Sequence, residues 1–464
     1  MSSHVLADTT SDENVVRASL PASSDVGCDM SLRNRRAGSP LSVQLLDELE
    51  KHQTFGMKFG LETIRHLLRG VGEPEKTLRF IHIAGTNGKG SVAAMLESCL
   101  RHAGFRTGLY TSPHLVSSGE RIQIDRKPRS ADEMSVLYAK LRPAIQSLPE
   151  PPTYFEVTTA MAAIAFAEAK TDVVIWETGL GGRLDATNTV TPMISVLTPI
   201  SLDHTAWLGP TIEAVAEEKC GIIKPSVTVV SSPQTQECER VIRAAASNQN
   251  APLIFAGQEP CVHLSESLGG QSFLWRGKKF EMPLLGNHQL VNAATALATL
   301  DALDKLGLHV PAEALQKGFS SVRWDARFQA LSINPPIILD GAHNPDGAAR
   351  AAETFLKFFP SEPRQLIFGI MHDKDMESVV AALSPVAERI LLVPINNPRS
   401  ADPAVLKPLF LHARPGADVR VLALEDALRE ARHQQRPCLV AGSLFLAGEV
   451  LENRDRGQAD ICDY

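Results

Sequence analysis

Ile83-Ala84-Gly85-Thr86-Asn87-Gly88-Lys89-Gly90-Ser91 closes an apolar run at residues 78–84 and opens a segment whose apolar positions are Val92, Met95, Leu96 and Leu100. Strand, glycine-rich turn and amphipathic helix in that order are the parts of a P-loop. Glycines let the backbone wrap a phosphate, the helix N-terminus turns N–H groups towards it, Lys89 adds charge, and Ser91 offers a hydroxyl to Mg²⁺. Gly90 separates the lysine from the hydroxyl residue, so the strict G-x-x-x-x-G-K-[ST] spacing is not met. A glycine-rich turn with no ligand is the competing reading; the strand before it and the helix after it favour phosphate.

Outward from this turn, apolar runs recur at residues 173–177, 194–198 and 227–231, with helical patterns such as 91–102 and 156–170 between some of them. Such alternation predicts an α/β fold with a parallel sheet covered on both faces. Upstream, Leu45, Leu46 and Leu49, then Leu61, Ile64, Leu67 and Leu68, predict two helices, the second closed by Gly70. Downstream, an Ala-rich helical pattern at 290–306 stops at Gly307 and a short helix follows over 311–319, before Ser320, Ser321 and a charged stretch at 323–327. Alternation then restarts at 337–340, 365–369, 390–394, 419–424 and 438–441, with a helix over 348–359, which predicts a second, smaller α/β domain. The expected division is an extension over 1–40, a first domain over 41–322, a linker over 323–328 and a second domain over 329–464. Low hydrophobicity and lack of period make the extension a candidate for disorder, unable to offset its own ordering entropy.

Composition narrows the function classes. The 464 residues are 44% hydrophobic and 21% charged, which excludes a fibrous or wholly disordered chain, and aromatics at 5% leave the cores to aliphatic residues. A net charge of −7 and a pI near 6.1 argue against nucleic acid or an acidic membrane as partner, leaving small molecules. Seven cysteines without a CxxC pair do not form a disulfide framework. No apolar run reaches the roughly 20 residues of a membrane span, and no signal-peptide pattern opens the chain. A cytoplasmic protein is expected.

Chemistry-bearing residues cluster at predicted strand ends. Glu177 ends an apolar strand, where an NTPase keeps a metal-binding acid, and parallel sheets bind ligands along that edge; an exposed acid at a strand end is the alternative. His204, in Ser201-Leu202-Asp203-His204-Thr205, is a second candidate ligand, although a lone histidine after a strand is more often structural. Lys219, near the end of a helical stretch, suits a helix C-terminus with glutamates beside it equally well. Asp340-Gly341-Ala342-His343-Asn344-Pro345 is placed to face a cleft between the domains, or to form a turn with an Asx cap.

Taken together, these segments resemble the folylpolyglutamate synthase and dihydrofolate synthase family of the Mur ligase superfamily. The motifs are GTNGKGS at 85–91, TSPHL at 111–115, TYFE at 153–156, ETGLGGRLDATN at 177–188, SLDHT at 201–205, EKCGIIK at 218–224, NAATAL at 292–297 and DGAHNP at 340–345. They run in order across most of the chain. The resemblance implies a P-loop Mur-ligase-type ATP-binding domain followed by a smaller Rossmann-like glutamate-ligase domain. It implies that Ser112, Glu177 and His204 hold one or two Mg²⁺ ions with Ser91 near the phosphates, that Asn292, Arg327 and Asp340 join residues 85–91 in contacting ATP, and that Lys219 is carbamylated; a monovalent cation is a further expected cofactor. Thr153, Phe155, Asp185 and Ala186 match pterin-contacting positions, Met57 and Phe59 the same pocket, and His343 and Ser443 the glutamate site. A monomer is the family default. The family's usual hinge, Trp-Pro-Gly-Arg, reads Trp324-Asp325-Ala326-Arg327 here and lacks both residues with special φ.

The implied reaction joins L-glutamate to the carboxylate of dihydropteroate, of a folate, or of both, through an acyl phosphate, with release of ADP and phosphate. Lys89, Mg²⁺ and Arg327 are expected to stabilise phosphoryl transfer, and Asp340 or His343 to orient the amine or take its proton. A Mur-type ligase acting on a UDP-sugar peptide is the neighbouring alternative; it needs a further domain before the P-loop, and the roughly 45 residues left there fall below the usual minimum of about 50. A P-loop nucleotide-binding protein without catalysis is the other.

Overall fold

The structure, a computed structural model, describes residues 40–52, 60–361 and 363–455. The expected extension therefore lies outside the described residues except for Pro40, which opens the Pro40–Lys51 helix. Proline suits that place, because the first N–H of a helix has no partner to lose. Met57 and Phe59 also lie outside the described residues.

The first sheet contains β1 (Phe80–Ala84), β2 (Thr107–Tyr110), β3 (Ile122–Ile124), β4 (Lys127–Pro128), β5 (Val173–Glu177), β6 (Ile194–Leu197), β7 (Thr228–Ser231) and β8 (Leu253–Phe255), in the order β4-β3-β2-β5-β1-β6-β7-β8. All pair in parallel except β3 and β4 at one edge. Side chains alternate between two cores, as a pleated strand requires. Val173 and Ile175 pack with Val92, Leu96 and Leu297 of the Lys89–His102 and Asn287–Asp304 helices. Val174 and Trp176 pack on the opposite face with Leu67, Leu141 and Met161. Burial on both faces is why β1 and β5 read as unbroken apolar runs.

Next come three antiparallel strands, β9 (Val262–Ser267), β10 (Gly270–Trp275) and β11 (Lys278–Met282), and then the Asn287–Asp304 and Ala312–Ser321 helices. The second sheet holds β12 (Gln329–Ile333), β13 (Pro336–Leu339), β14 (Gln365–Phe368), β15 (Arg389–Leu392), β16 (Asp418–Val421) and β17 (Cys438–Ala441), in the order β12-β13-β17-β14-β15-β16. Only the β12–β13 hairpin is antiparallel. Its two faces are covered by separate clusters, one including Phe355, Val379 and Leu406, the other Leu428, Leu446 and Val450.

Residues between the two sheets are packed rather than extended through solvent. Trp324 rests on the first sheet's core, while Ala326 and Phe328 are buried in the two cores of the second. Leu285, just after the β9–β11 strands, is also buried in the second sheet's core. Among the described residues no helix is long and apolar enough to cross a membrane.

Candidate active site

Strand register decides where the charged groups fall. β1 and β5 pair with Ile83 level with Glu177, so the acid emerges beside the turn that begins at Gly85. That turn runs into the Lys89–His102 helix, whose N-terminus has no side-chain cap, leaving its first N–H groups available to an anion. Gly88 takes φ +86°, and a Cβ there would lie 2.4 Å from Asn292 Oδ1. Gly90, the unexpected spacer, has a different reason: a Cβ would lie 2.7 Å from the Trp324 indole. The spacer lets the segment joining the two sheets close onto the phosphate turn.

A cavity of about 670 Å³ opens at this edge of the first sheet and is completed by the second; residues 85–91, Ser112, Glu177, His204, Lys219, Asn292, Arg327, Asp340, His343 and Ser443 all line it. Lys89 Nζ donates to the Gly85 and Thr86 carbonyls at 3.1 and 3.2 Å and stands 4.0 Å from Glu177 Oε1. Glu177 is buried, and burial pushes its carboxyl up to about 7, opposed by Lys89 and by the Ser112 N–H that donates to Oε2. It is not the exposed acid of the alternative reading. Lys219 is also buried, and its Nζ donates to the Gly85 carbonyl at 2.8 Å rather than to the neighbouring glutamates. Burial, reinforced by Lys89, pushes its amine down to about 7.

From the second sheet, Asp340 accepts the Phe328 and Ala342 N–H groups at 2.8 Å each, bracing its loop, and burial raises its carboxyl against the pull of Arg327. His343 Nδ1 donates to the Gly341 carbonyl, which leaves the Nε2 lone pair free. Burial and then Lys374 push this imidazole down to about 4. Ser443 Oγ accepts the Phe445 N–H. The alternative reading of Asn344 as the Asx cap of a turn is met at the start of the Pro345–Phe358 helix, where it accepts from Gly347, but it also reaches across the cleft. Its Nδ2 donates to Asn87 Oδ1 and Asp203 Oδ2, each at 3.1 Å, and Asn87 Nδ2 donates to Asp346 Oδ2 at 2.8 Å.

His204 lies beside this bridge in a left-handed conformation, its Nε2 3.4 Å from Lys374 Nζ. Lys374 and Asp346 were missed by sequence reasoning, and nothing local to either marks it; only the fold brings them opposite Asp203 and Asn87. The four pterin candidates stand apart from the cavity lining. Thr153 caps the Tyr154–Glu168 helix in a reciprocal box with Glu156. Phe155 lies against Gly179, and Ala186 is buried. Asp185 accepts the Gly179 and Leu180 N–H groups on one oxygen and the Thr187 N–H and hydroxyl on the other. Among the described residues no three His, Cys, Asp or Glu side chains form a ready-made metal cage.

The model for the Mur ligase middle domain matches residues 83–300, and that for the Mur ligase glutamate ligase domain matches residues 326–444. The dihydrofolate synthase/folylpolyglutamate synthase of Bacillus subtilis is 36% identical over 360 residues, covering 75% of this chain and 84% of the relative. The chain belongs to the folylpolyglutamate synthase/dihydrofolate synthase family. Two solved structures of this family overlay most of it. Mycobacterium tuberculosis folylpolyglutamate synthase complexed with ADP and AMPPCP has a TM-score of 0.82 at 32% identity, over 91% of this chain and 100% of that one. E. coli FolC in complex with DHPP and ADP has a TM-score of 0.78 at 32% identity, over 91% and 99%. As a folylpolyglutamate synthase/dihydrofolate synthase family member, the chain is an ATP-dependent ligase.

The hinge of this family member takes a left-handed turn without a glycine. Ala326, in the place of the usual glycine, takes φ +54°. Gln329 holds it there: its Oε1 accepts the Ala326 N–H at 3.0 Å and its Nε2 donates to Asp325 Oδ1 at 3.0 Å. These two hydrogen bonds tie Asp325 and Ala326 to the first residue of β12.

Proposed function

We propose that this chain spends ATP to join L-glutamate to the carboxylate of dihydropteroate and of a reduced folate, releasing ADP and phosphate. The observation that carries this reading is one cavity shared by Lys89 and Glu177 of the first sheet and Arg327, Asp340 and His343 of the second. A carboxylate and an amine do not condense in water at useful rates, so the carboxylate must first gain a leaving group. Its oxygen attacks the γ-phosphorus of ATP, the bond to the β-phosphate oxygen breaks, and an acyl phosphate and ADP result. The amine of glutamate then attacks the acyl carbon, phosphate leaves, and the amine's proton is released.

The residues divide this work by position. The P-loop N–H groups, Lys89 and Arg327 meet the charge on the transferring oxygens, and Asn292 and Asp340, which line the same cavity, are assigned to the rest of the nucleotide. His343, neutral and with Nε2 unprotonated, is suited to orient the amine by accepting a hydrogen bond from it. Ser443 lines the same cavity. Glu177 supports the expected metal: a buried carboxylate whose ionised form is disfavoured, 4.0 Å from its cation, is relieved by a divalent ion. Ser112, Glu177 and His204 would hold Mg²⁺ with Ser91 nearby, and the ion would add positive charge beside the phosphates. Lys219, whose amine is half neutral near pH 7, is suited to add carbon dioxide, forming an N–C bond and losing a proton to give the carbamate. Closure of the two sheets around the cavity keeps water from the acyl phosphate.

Measuring ADP release with dihydropteroate or tetrahydrofolate, each with and without glutamate, tests the reading. Turnover that requires both acceptor and glutamate is expected. Turnover indifferent to glutamate would overturn ligation and favour a nucleotide-binding protein.

A further inference from the structure

Arg121 stands immediately before β3, at the cavity's edge, and no part of the sequence reading used it. Its carbonyl accepts the Thr111 N–H at 3.2 Å, which fixes the residue beside Ser112 at the C-terminal end of β2. The guanidinium is then immobilised twice over. Nε donates to His114 Nδ1 at 2.9 Å, and the guanidinium carbon lies 5.1 Å from the centroid of the Tyr154 ring.

An arginine only donates, so His114 Nδ1 must be unprotonated and the imidazole neutral. Among the described residues no carboxylate forms an ion pair with Arg121; it stabilises the charge of Glu177 only from a distance. A planar cation has been fixed at the cavity wall with its outer nitrogens left for a ligand.

Which ligand follows from the side of the sheet. The order β3-β2-β5-β1 puts Arg121 three strands from the phosphate turn, on the flank of Tyr154 and Phe155 and away from Asn292. An acid brought to be phosphorylated must come close to Glu177, another anion, and a fixed cation on that flank offsets their repulsion. Building on the proposed ligation, we infer that Arg121 receives the carboxylate end of the acceptor and positions it for phosphorylation, with His114 and Tyr154 holding the guanidinium in place.

Equilibrium binding to the full-length protein separates this from a structural role. Two probes serve: dihydropteroate, and a dihydropterin carrying the same anilinomethyl group without the carboxylate. For Arg121→Gln the expected result is a roughly 10- to 100-fold loss for the acid, the range of a charge-assisted hydrogen-bonded pair, with the acid-free probe and ADP within about twofold of wild type. Retained ADP binding reports an intact fold. Arg121→Lys should restore part of the loss, and His114→Ala should weaken the acid alone, by a smaller factor. Equal loss for both probes, or no loss for the acid, overturns the inference while wild-type ligation stands. Failure of the wild-type protein to bind dihydropteroate or tetrahydrofolate would overturn the ligation reading and this inference with it.

Discussion

Lys374 Nζ lies 3.0 Å from Asp203 Oδ1, and this pair spans the cleft: Asp203 follows β6 of the first sheet and Lys374 follows β14 of the second. Both side chains are only 13% exposed. The lysine also reaches His204, and Asn344 shares the other oxygen of Asp203. Burial works against the Asp203 charge, but His204, Lys374 and His343 overcome it and hold the carboxyl below its usual range. The two halves of the cavity are thus drawn together by groups next to a candidate metal ligand.

Lys374→Met should loosen this closure. It leaves Asp203 partly buried with one cation fewer, and a double-mutant cycle with Asp203→Asn should return a coupling of about 1–3 kcal/mol in thermal unfolding. Hydrogen exchange of the Ala342–Gly347 amides should quicken in either variant. Because the folded carboxyl titrates lower than the unfolded one, the contribution is complete above a pH of about 4 and disappears as the pH falls further. Unchanged exchange and zero coupling would show that the contact holds nothing together.

Glu177→Gln should stabilise the ligand-free protein while ending ligation. Burial raises the folded carboxyl to about 7, against an unfolded value of about 4.3, so the native state binds the extra proton between those limits. Stability therefore falls as the pH rises from about 4 to about 7, by on the order of 3 kcal/mol, and is flat above. Glutamine removes that fall, so its melting temperature should exceed the wild type's at pH 8 and match it near pH 4. A variant that melts earlier at pH 8, or that still ligates, contradicts the assignment.

What was legible in the sequence follows from burial. β1 and β5 are covered on both faces, so their apolar runs stood out, and Val173–Glu177 was bounded to the residue. β2 escaped because Gly108 makes room for the Phe166 ring, and β9 because its exposed side chains alternate with nothing that reads as a core. Motif residues such as Glu177 and Lys219 could be singled out from their local setting, and both line the cavity. Lys374 and Arg121 were not, since each gains its meaning from groups far away in the chain or across a loop. Thr153 entered through the family resemblance alone; locally its side chain caps the Tyr154–Glu168 helix in a box with Glu156, a role that Thr-x-x-Glu before an apolar run spells out.

Lys219→Ala should lose most activity and regain part of it with added formate or acetate. The alanine leaves room beside the Gly85 carbonyl, and a small carboxylate entering there would supply the oxygens of the lost carbamate. Incubation of the wild type with ¹³C-bicarbonate should give a carbamate carbon signal that grows as the pH rises through about 7, where the amine becomes neutral. No rescue and no signal would leave Lys219 as a donor to Gly85 alone.

Ala326→Gly should stabilise the hinge. A side chain at φ +54° costs about 1 kcal/mol that glycine does not incur, less the entropy glycine adds to the unfolded chain. A rise of a degree or two in melting temperature is expected, and a clear drop for Ala326→Val, whose branched side chain suits neither the φ nor the buried site. Loss of stability in the glycine variant would show that Gln329 and Asp325 fully compensate the strain.

Gly90→Ala tests whether the hinge and the phosphate turn move as one body. Its Cβ would fall within 2.8 Å of three atoms of the Trp324 indole, closer than any real contact, and the same ring carries the Arg126 guanidinium 5.0 Å from its centroid. Something must shift, and the hinge carries Arg327 with it. Ligation should fall by roughly 10- to 100-fold, since misplacement of a catalytic group by about 1 Å is enough for that, and the tryptophan emission of the variant should shift. Trimming the indole in Gly90→Ala/Trp324→Leu should recover part of the rate if the clash is the cause. A double variant no better than the single one would place the damage in the phosphate turn itself, with Trp324 a bystander.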